Sequence, residues 1–348
     1  MKKLEIINEG EKINIGEDSL FIVAEGGINH DADIDKASQL IDAAVRCGAD
    51  AIKFQTHIPQ AEMLKEAGTG GHIKGETLYE LMSRMELSRE QHIELKDYAK
   101  SKGILLFFTP YSREAADLLE ELDMPLFKIG SGELTNYPFL EYVARKGKPM
   151  IISTGMSKLD EIKEAVKTVR KHNDNLAVLH CTSMYPTPAE NVNLKIIQKL
   201  QNELNLPVGF SDHTEGIYAA LGAVAYGACI LEKHFTISRE WPGPDQKCSM
   251  EPDELGMLVK GARFIKKAIG NQEKIITAEE QRVRDLFSES IVSLEAIPKG
   301  TVITKDMVWV KRPSVGGIPP KELHLVIGKK TVKDIPGNTQ LRRNDLAR

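Results

Sequence analysis

LFIVAE (Leu20–Glu25) and AIKFQ (Ala51–Gln55) decide the fold, because each is a short apolar run ending in a side chain capable of chemistry. Six further runs repeat the pattern: ILLFFT (Ile104–Thr109), PLFKIGSGE (Pro125–Glu133), PMIIST (Pro149–Thr154), LAVLHCT (Leu176–Thr182), PVGFSDH (Pro207–His213) and CILEKHF (Cys229–Phe235). Amphipathic stretches of helical length separate them, so strand and helix alternate eight times. The pattern predicts an α/β fold of the (β/α)8 TIM-barrel type, whose functional groups gather at the C-terminal ends of the strands. Glu25, Lys53, Gln55, Thr109, Lys128, Glu133, His213 and His234 are thereby expected to converge on one mouth.

The intervening stretches carry helix signals. Asp33 is placed to cap a helix from Ile34 to about Val45, with Ile34, Ala37, Ile41, Ala44 and Val45 on one face and Gly48 as its stop. Similar helices are expected over Arg113–Leu122, Leu159–Val169 and Glu254–Ile269. One connection is longer than the rest, running from His57 to about Leu87 before the next regular helix. A connection of that length in a compact domain is usually functional or disordered, and the glycines of Gly68–Gly71 suggest a mobile tip on a lid over the mouth.

After Ile269 the texture changes. A barrel domain is expected over 1–270, a polar linker with some helix over 271–287, and a small β-rich domain over 288–348, with turn sequences at Pro298-Lys299-Gly300 and Pro336-Gly337-Asn338. A domain of this size lies near the lower limit for folding alone.

Composition narrows the function. The chain of 348 residues has a formal net charge of −4 and no basic tract, which argues against nucleic acid as a partner. No apolar run is long enough to span a membrane. The N-terminal segment lacks the apolar core and cleavage site of a signal peptide, so a cytoplasmic location without disulfides is expected. Cys47, Cys181, Cys229 and Cys248 have no metal-ligand spacing, and Cys181 and Cys229, inside strand runs, read as packing residues.

His213 and His234 close neighbouring strands, so either each is a satisfied lone histidine or both reach one divalent ion with open positions, such as Mn²⁺. Glu232 shares the face of His234 and is open to two readings, a group near the metal or substrate or half of a surface ion pair. Lys53 and Lys128 in apolar strands require an anion. Glu25 and Glu133 could supply it, but the hydroxyls of Thr109, Ser131, Ser153 and Ser211 at the same rim suit a phosphate or carboxylate ligand. Glu133, held after the glycine-flanked KIGSG turn, is a candidate acid or base, with a structural role near the next helix as the alternative.

Taken together, FIVAEGGINH, AIKFQ, FFTP, KIGSGEL, IISTGM, HCTSMYPTP, GFSDHT and EKHFT…GPD…S…EPDEL occur in an order that closely resembles the sialic acid synthase family. The C-terminal KRP–GGIPP segment resembles that family's antifreeze-like, or SAF, domain. The resemblance implies condensation of phosphoenolpyruvate with N-acetylmannosamine or a related acylamino sugar, releasing phosphate. It implies that His213 and His234 hold manganese and that Lys53, Thr109, Lys128, Ser131, Ser153 and Ser211 surround phosphoenolpyruvate. It also implies that Glu25, Gln55, Tyr185 and Asp245 contact the sugar, and that Glu133 moves protons. Arg312 would reach the sugar's acyl group from the other subunit of a domain-swapped homodimer.

Three positions depart from the family pattern: Ser183 where Asn is common, Gln246 where His is common, and Gly26 where Ile is common. The first two bear on which sugar is used; the third is expected to affect packing only. Legionaminate or pseudaminate synthesis from a 6-deoxy diacetamido sugar, another phosphoenolpyruvate-dependent synthase, and a non-catalytic sugar-binding protein on the same fold are the alternatives.

Overall fold

The computed structural model describes residues 2–68, 76–271 and 273–347, and the chain separates into two compact units, Met1–Gly270 and Asn271–Arg348. The first is a closed barrel of eight parallel strands. In chain order these are β3 (Phe21–Gly27), β4 (Ala51–Thr56), β5 (Leu105–Pro110), β6 (Phe127–Ile129), β7 (Met150–Ser153), β8 (Leu176–Cys181), β9 (Val208–Asp212) and β10 (Ile230–His234), with β10 pairing back onto β3.

Two strands precede the barrel, β1 (Leu4–Asn8) and β2 (Glu11–Ile15), paired as an antiparallel hairpin. Sequence reading gave this segment no structure. Its signal is the alternation of Leu4 and Ile6 with Ile13 and Ile15 about Glu9-Gly10, both at positive φ as a tight two-residue hairpin turn requires. Leu4, Ile6 and Ile15 pack on the inward-facing Phe21, Val23, Leu105, Phe107, Ile151 and Leu179, so the hairpin stoppers the N-terminal end of the barrel.

The helix expectations correspond closely to what is observed. α1 (Ile34–Cys47) begins at Asp33, whose carboxylate accepts from the Asp35 and Lys36 amides, and ends at Gly48 in the left-handed conformation. The outward faces of the strands, including Ile52, Phe54, Phe108 and Val178, form one continuous core with the buried sides of the helices. The long connection differs from expectation. It contains α2 (Pro59–Glu62) and a well-capped α3 (Leu78–Met85), in which Thr77 and Glu80 form a capping box. Leu81 and Met85 pack on Ile28, in the loop after β3. Most of the expected glycine-rich tip, residues 69–71, lies outside the described residues.

In the second unit, Ala278–Phe287 is helical, so much of the expected linker is regular structure. Ser290–Ser293 and Val308–Lys311 pair antiparallel, and Ile291, Ile297, Ile303, Val308, Ile318, Ile335 and Leu341 form a separate small core. Gly300 and Asn338 take positive φ at the two turns read from the sequence.

Inside the barrel, β9 and β10 approach so closely that only glycine fits at 209. A Cβ there would lie 2.5 Å from the Ile230 carbonyl oxygen, a backbone atom that cannot swing away. Gly209→Ala is therefore expected to lower unfolding free energy by roughly 1–3 kcal/mol, as measured by denaturant titration. A stability equal to wild type would show that the two strands can separate.

Candidate functional site

Period-two alternation builds the site. Val23, Ala51, Phe107, Ile151, Leu179 and Ile230 point into the barrel as an apolar floor, and the next inward positions on the same strands are polar. Glu25, Lys53, Thr109, Ser153, Cys181 and Glu232 occupy these places, joined by Lys128 and Ser211. One step further out come Gln55, His213 and His234. Together with Tyr111, Ser131, Glu133, Ser183 and Tyr185 they line a cavity of about 380 Å³ at the C-terminal mouth.

The buried cations are paired. Lys53 lies 2.5 Å from the Glu25 carboxylate and donates to the Thr109 hydroxyl at 2.9 Å. Lys128 donates to the Ser153 hydroxyl at 2.7 Å and to the Ile129 carbonyl at 3.0 Å, with Glu232 at 3.6 Å. Glu232 also accepts from the Ser211 hydroxyl and is only 6% exposed, so it is a buried member of the site and not part of a surface ion pair. Burial pulls the Lys128 ammonium below its ordinary value; Glu232 opposes that pull and the charge on Lys53 adds to it. Glu232 and Glu25 overcome the same burial at Lys53 and hold it above its ordinary value. An anion resting between the lysines would relieve their mutual repulsion.

The two histidines stand side by side, ring centroids 5.5 Å apart, with the Tyr185 ring 4.1 Å from His213. His213 donates from Nδ1 to the Thr182 carbonyl at 2.8 Å, which orients the ring and leaves Nε2 uncommitted. Burial, reinforced by the neighbouring His213 and lysines, holds His234 well below its ordinary value and hence neutral. Its Nδ1 is buried without a hydrogen-bond partner, 3.8 Å from the Asp245 carboxylate. An orphaned imidazole nitrogen beside a second, oriented imidazole fits a divalent cation. Among the described residues no group of three or more His, Cys, Asp or Glu side chains is arranged to hold a metal, so these two imidazoles are the donors this site offers.

Glu133 sits in a single 3-10 turn, Ser131–Glu133, that follows β6. One carboxylate oxygen is buried without a partner, and burial pushes the group up to about 7. That places it where a carboxyl can both give and take a proton near neutrality.

The structure brings together at this mouth every residue expected there from the barrel unit; Arg312 belongs to the second unit, where its guanidinium lies over the Phe287 ring. Cys181 departs from the packing role read for it. Its sulfur faces the mouth, 3.8 Å from His213 Nδ1, and accepts from the Ser131 hydroxyl. The signal was available, since Cys181 shares the inward face of Ala177 and Leu179. Tyr111 and His57, stacked at 4.5 Å, were also missed, each lying two residues beyond a strand run already identified. Gln246 does not face the mouth. It is buried, accepts from the Thr236 hydroxyl at 2.5 Å and donates to the Asn29 and Pro242 carbonyls, so its amide anchors a loop. Ser183 does line the cavity, and Gly26 is packed tightly against the Phe54 ring.

The NeuB family matches residues 40–274, and the SAF domain matches residues 288–347. The chain belongs to the NeuB family. It is 38% identical to the human N-acetylneuraminate-9-phosphate synthase over 322 residues, 91% of this chain and 90% of that protein. It is 39% identical to the N,N'-diacetyllegionaminic acid synthase of Legionella pneumophila over 331 residues, 92% of this chain and 93% of that one. Among solved structures, the N-acetylneuraminic acid (sialic acid) synthetase of Leptospira borgpetersenii serovar Hardjo-bovis aligns with a TM-score of 0.73 at 34% identity, covering 81% of this chain and 96% of that one.

Glu133 is expected to titrate near pH 7, protonated below and ionised above, as followed by carbon-13 NMR of side-chain-labelled glutamate with Glu133→Gln assigning the signal. A midpoint at about 4.3, the ordinary value for glutamate, would contradict the buried carboxyl described above.

Proposed function

We propose that the chain condenses phosphoenolpyruvate with an acylamino sugar of the N-acetylmannosamine type, forming a nine-carbon 2-keto acid and releasing phosphate. The observation that carries this reading is the layering of the mouth. Two lysines with serine and threonine hydroxyls lie deep, and two histidines, Tyr185, Gln55 and Asp245 lie above them. The first set suits a phosphate and carboxylate, the second a polyol with a carbonyl.

In this reading Lys53 and Lys128 hold the anionic groups of phosphoenolpyruvate, with Thr109, Ser131, Ser153 and Ser211 donating to its oxygens. Glu25, Gln55, Tyr185 and Asp245 orient the open-chain sugar so that its aldehyde carbon faces the enol carbon. A divalent ion held by His213 and His234, manganese by the family resemblance, would act as a Lewis acid on the aldehyde oxygen. The enol carbon bonds to the aldehyde carbon, whose oxygen takes up a proton. Water adds to C2 of the former phosphoenolpyruvate, and the C2–O bond to phosphorus breaks as the keto group forms. Glu133 accepts and returns the protons, and the fixed lysine charges support the departing phosphate.

Phosphate release should require phosphoenolpyruvate, one acylamino sugar and a divalent metal together. N-acetylmannosamine, a phosphorylated counterpart and a 6-deoxy diacetamido sugar form the panel, with mass detection of product. Chelation should abolish turnover and Mn²⁺ restore it. His213→Ala and His234→Ala should each lose bound metal by direct elemental analysis while remaining folded. Turnover in metal-free protein would reject the Lewis-acid role.

The family resemblance also supports Arg312 acting across a two-fold dimer. Glu133→Ala and Arg312→Ala should each be nearly inactive alone. On co-expression, random exchange makes about half the dimers hybrid, and each hybrid carries one site with both groups intact, so activity should return to roughly a quarter of wild type. No recovery with hybrids demonstrated would place Arg312 in its own chain's site.

A further inference from the structure

A chain of hydrogen bonds runs outward from the lysine layer through a histidine that the reaction above does not use. Lys53 holds one oxygen of Glu25 at 2.5 Å, and the other oxygen accepts from the Gln55 amide nitrogen at 3.2 Å. The Gln55 carbonyl oxygen therefore faces away from Glu25, 3.0 Å from His57 Nε2. On its far side His57 Nδ1 is 2.9 Å from the Glu62 carboxylate. The ring is 4% exposed and lies flat against Tyr111, the planes 9° apart.

The donor and acceptor directions fix one another. A carboxylate only accepts, so Gln55 must turn its NH₂ toward Glu25 and its carbonyl toward His57. Nε2 must then donate. Nδ1 faces the Glu62 carboxylate on the far side of the ring. With a bare Nε2, His57 would instead require the Gln55 amide to flip, setting its carbonyl oxygen against the Glu25 carboxylate.

We propose that His57 is a positioning residue for the sugar. Clamped between Glu62 and Tyr111, it locks the Gln55 amide with its NH₂ toward Glu25 and its carbonyl turned away, so that this wall of the mouth offers the sugar a donor and not an acceptor. Glu62 belongs to α2, the first turn of the long connection, so the same clamp ties that connection to the sugar side of the site. The proposal rests on the sugar reading above and adds to it a residue that the substrate never touches.

Two measurements test it in the full-length protein. Nitrogen-15 NMR of histidine-labelled protein, with His57→Phe assigning the signals, should show hydrogen on His57 Nε2, the nitrogen that faces the Gln55 carbonyl. For kinetics, His57→Phe and Glu62→Gln should raise KM for the sugar by roughly 10-fold or more, the size expected for disturbing a hydrogen bond to a charged group. KM for phosphoenolpyruvate should stay within about twofold. A His57 Nε2 without hydrogen in the wild-type protein, or equal rises in both KM values, would overturn the proposal. If the wild-type protein releases no phosphate with any sugar, the synthase reading fails instead, and the nitrogen-15 result still decides the state of the clamp.

Discussion

Lys53 and Lys128 sit inside a closed barrel, where an ammonium without a counter-charge would cost several kcal/mol. The structure answers with Glu25 and Glu232, each brought to the same depth by strand register, since Glu25 pairs with Lys53 across β3 and β4 and Glu232 with Ser211 across β9 and β10. Much else in the mouth follows from these four charges. The Thr109 and Ser153 hydroxyls each accept a further ammonium proton. Glu25, fixed by Lys53, dictates the orientation of Gln55 and through it His57. The field of the lysines and of His213 helps to keep His234 neutral, as a ligand nitrogen must be. Removing one carboxylate would leave a buried cation without its counter-charge, so the set behaves as a unit.

The apolar floor makes that arrangement affordable to the fold. Below the charged layer the barrel is filled by Phe21, Val23, Phe107, Ile151, Leu179 and Ile230, close-packed enough to demand glycine at 209. A fold with this much buried hydrocarbon beneath its mouth can hold several strained or unsatisfied groups above it, among them the partnerless oxygen of Glu133 and the bare nitrogen of His234.

Much of this was legible in the sequence because two periodicities carry it. Alternation in the strands placed Glu25, Lys53, Lys128, His213 and His234 on one rim, and the capping signals of Asp33 and Gly48 bounded a helix correctly. Reading failed where a residue's partner is remote in the chain. Nothing local to Gln246 tells that the Asn29 carbonyl, 217 positions away, claims its amide. Cys181 was misread for another reason. Its chemistry as a small apolar residue was weighed without its parity in the strand, which points it at His213. The β1–β2 hairpin went unread because five-residue strands with a single alternating face carry a weak signal until a barrel end is there to receive them.

That hairpin has a consequence for traffic. With Leu4, Ile6 and Ile15 packed across the N-terminal end, the cavity among the described residues opens at the rim of histidines and Tyr185. The lysines lie a step beneath that rim, so a ligand seated at the rim shuts in whatever rests below. On the function proposed above, the anion would therefore have to be seated before a rim ligand covers it.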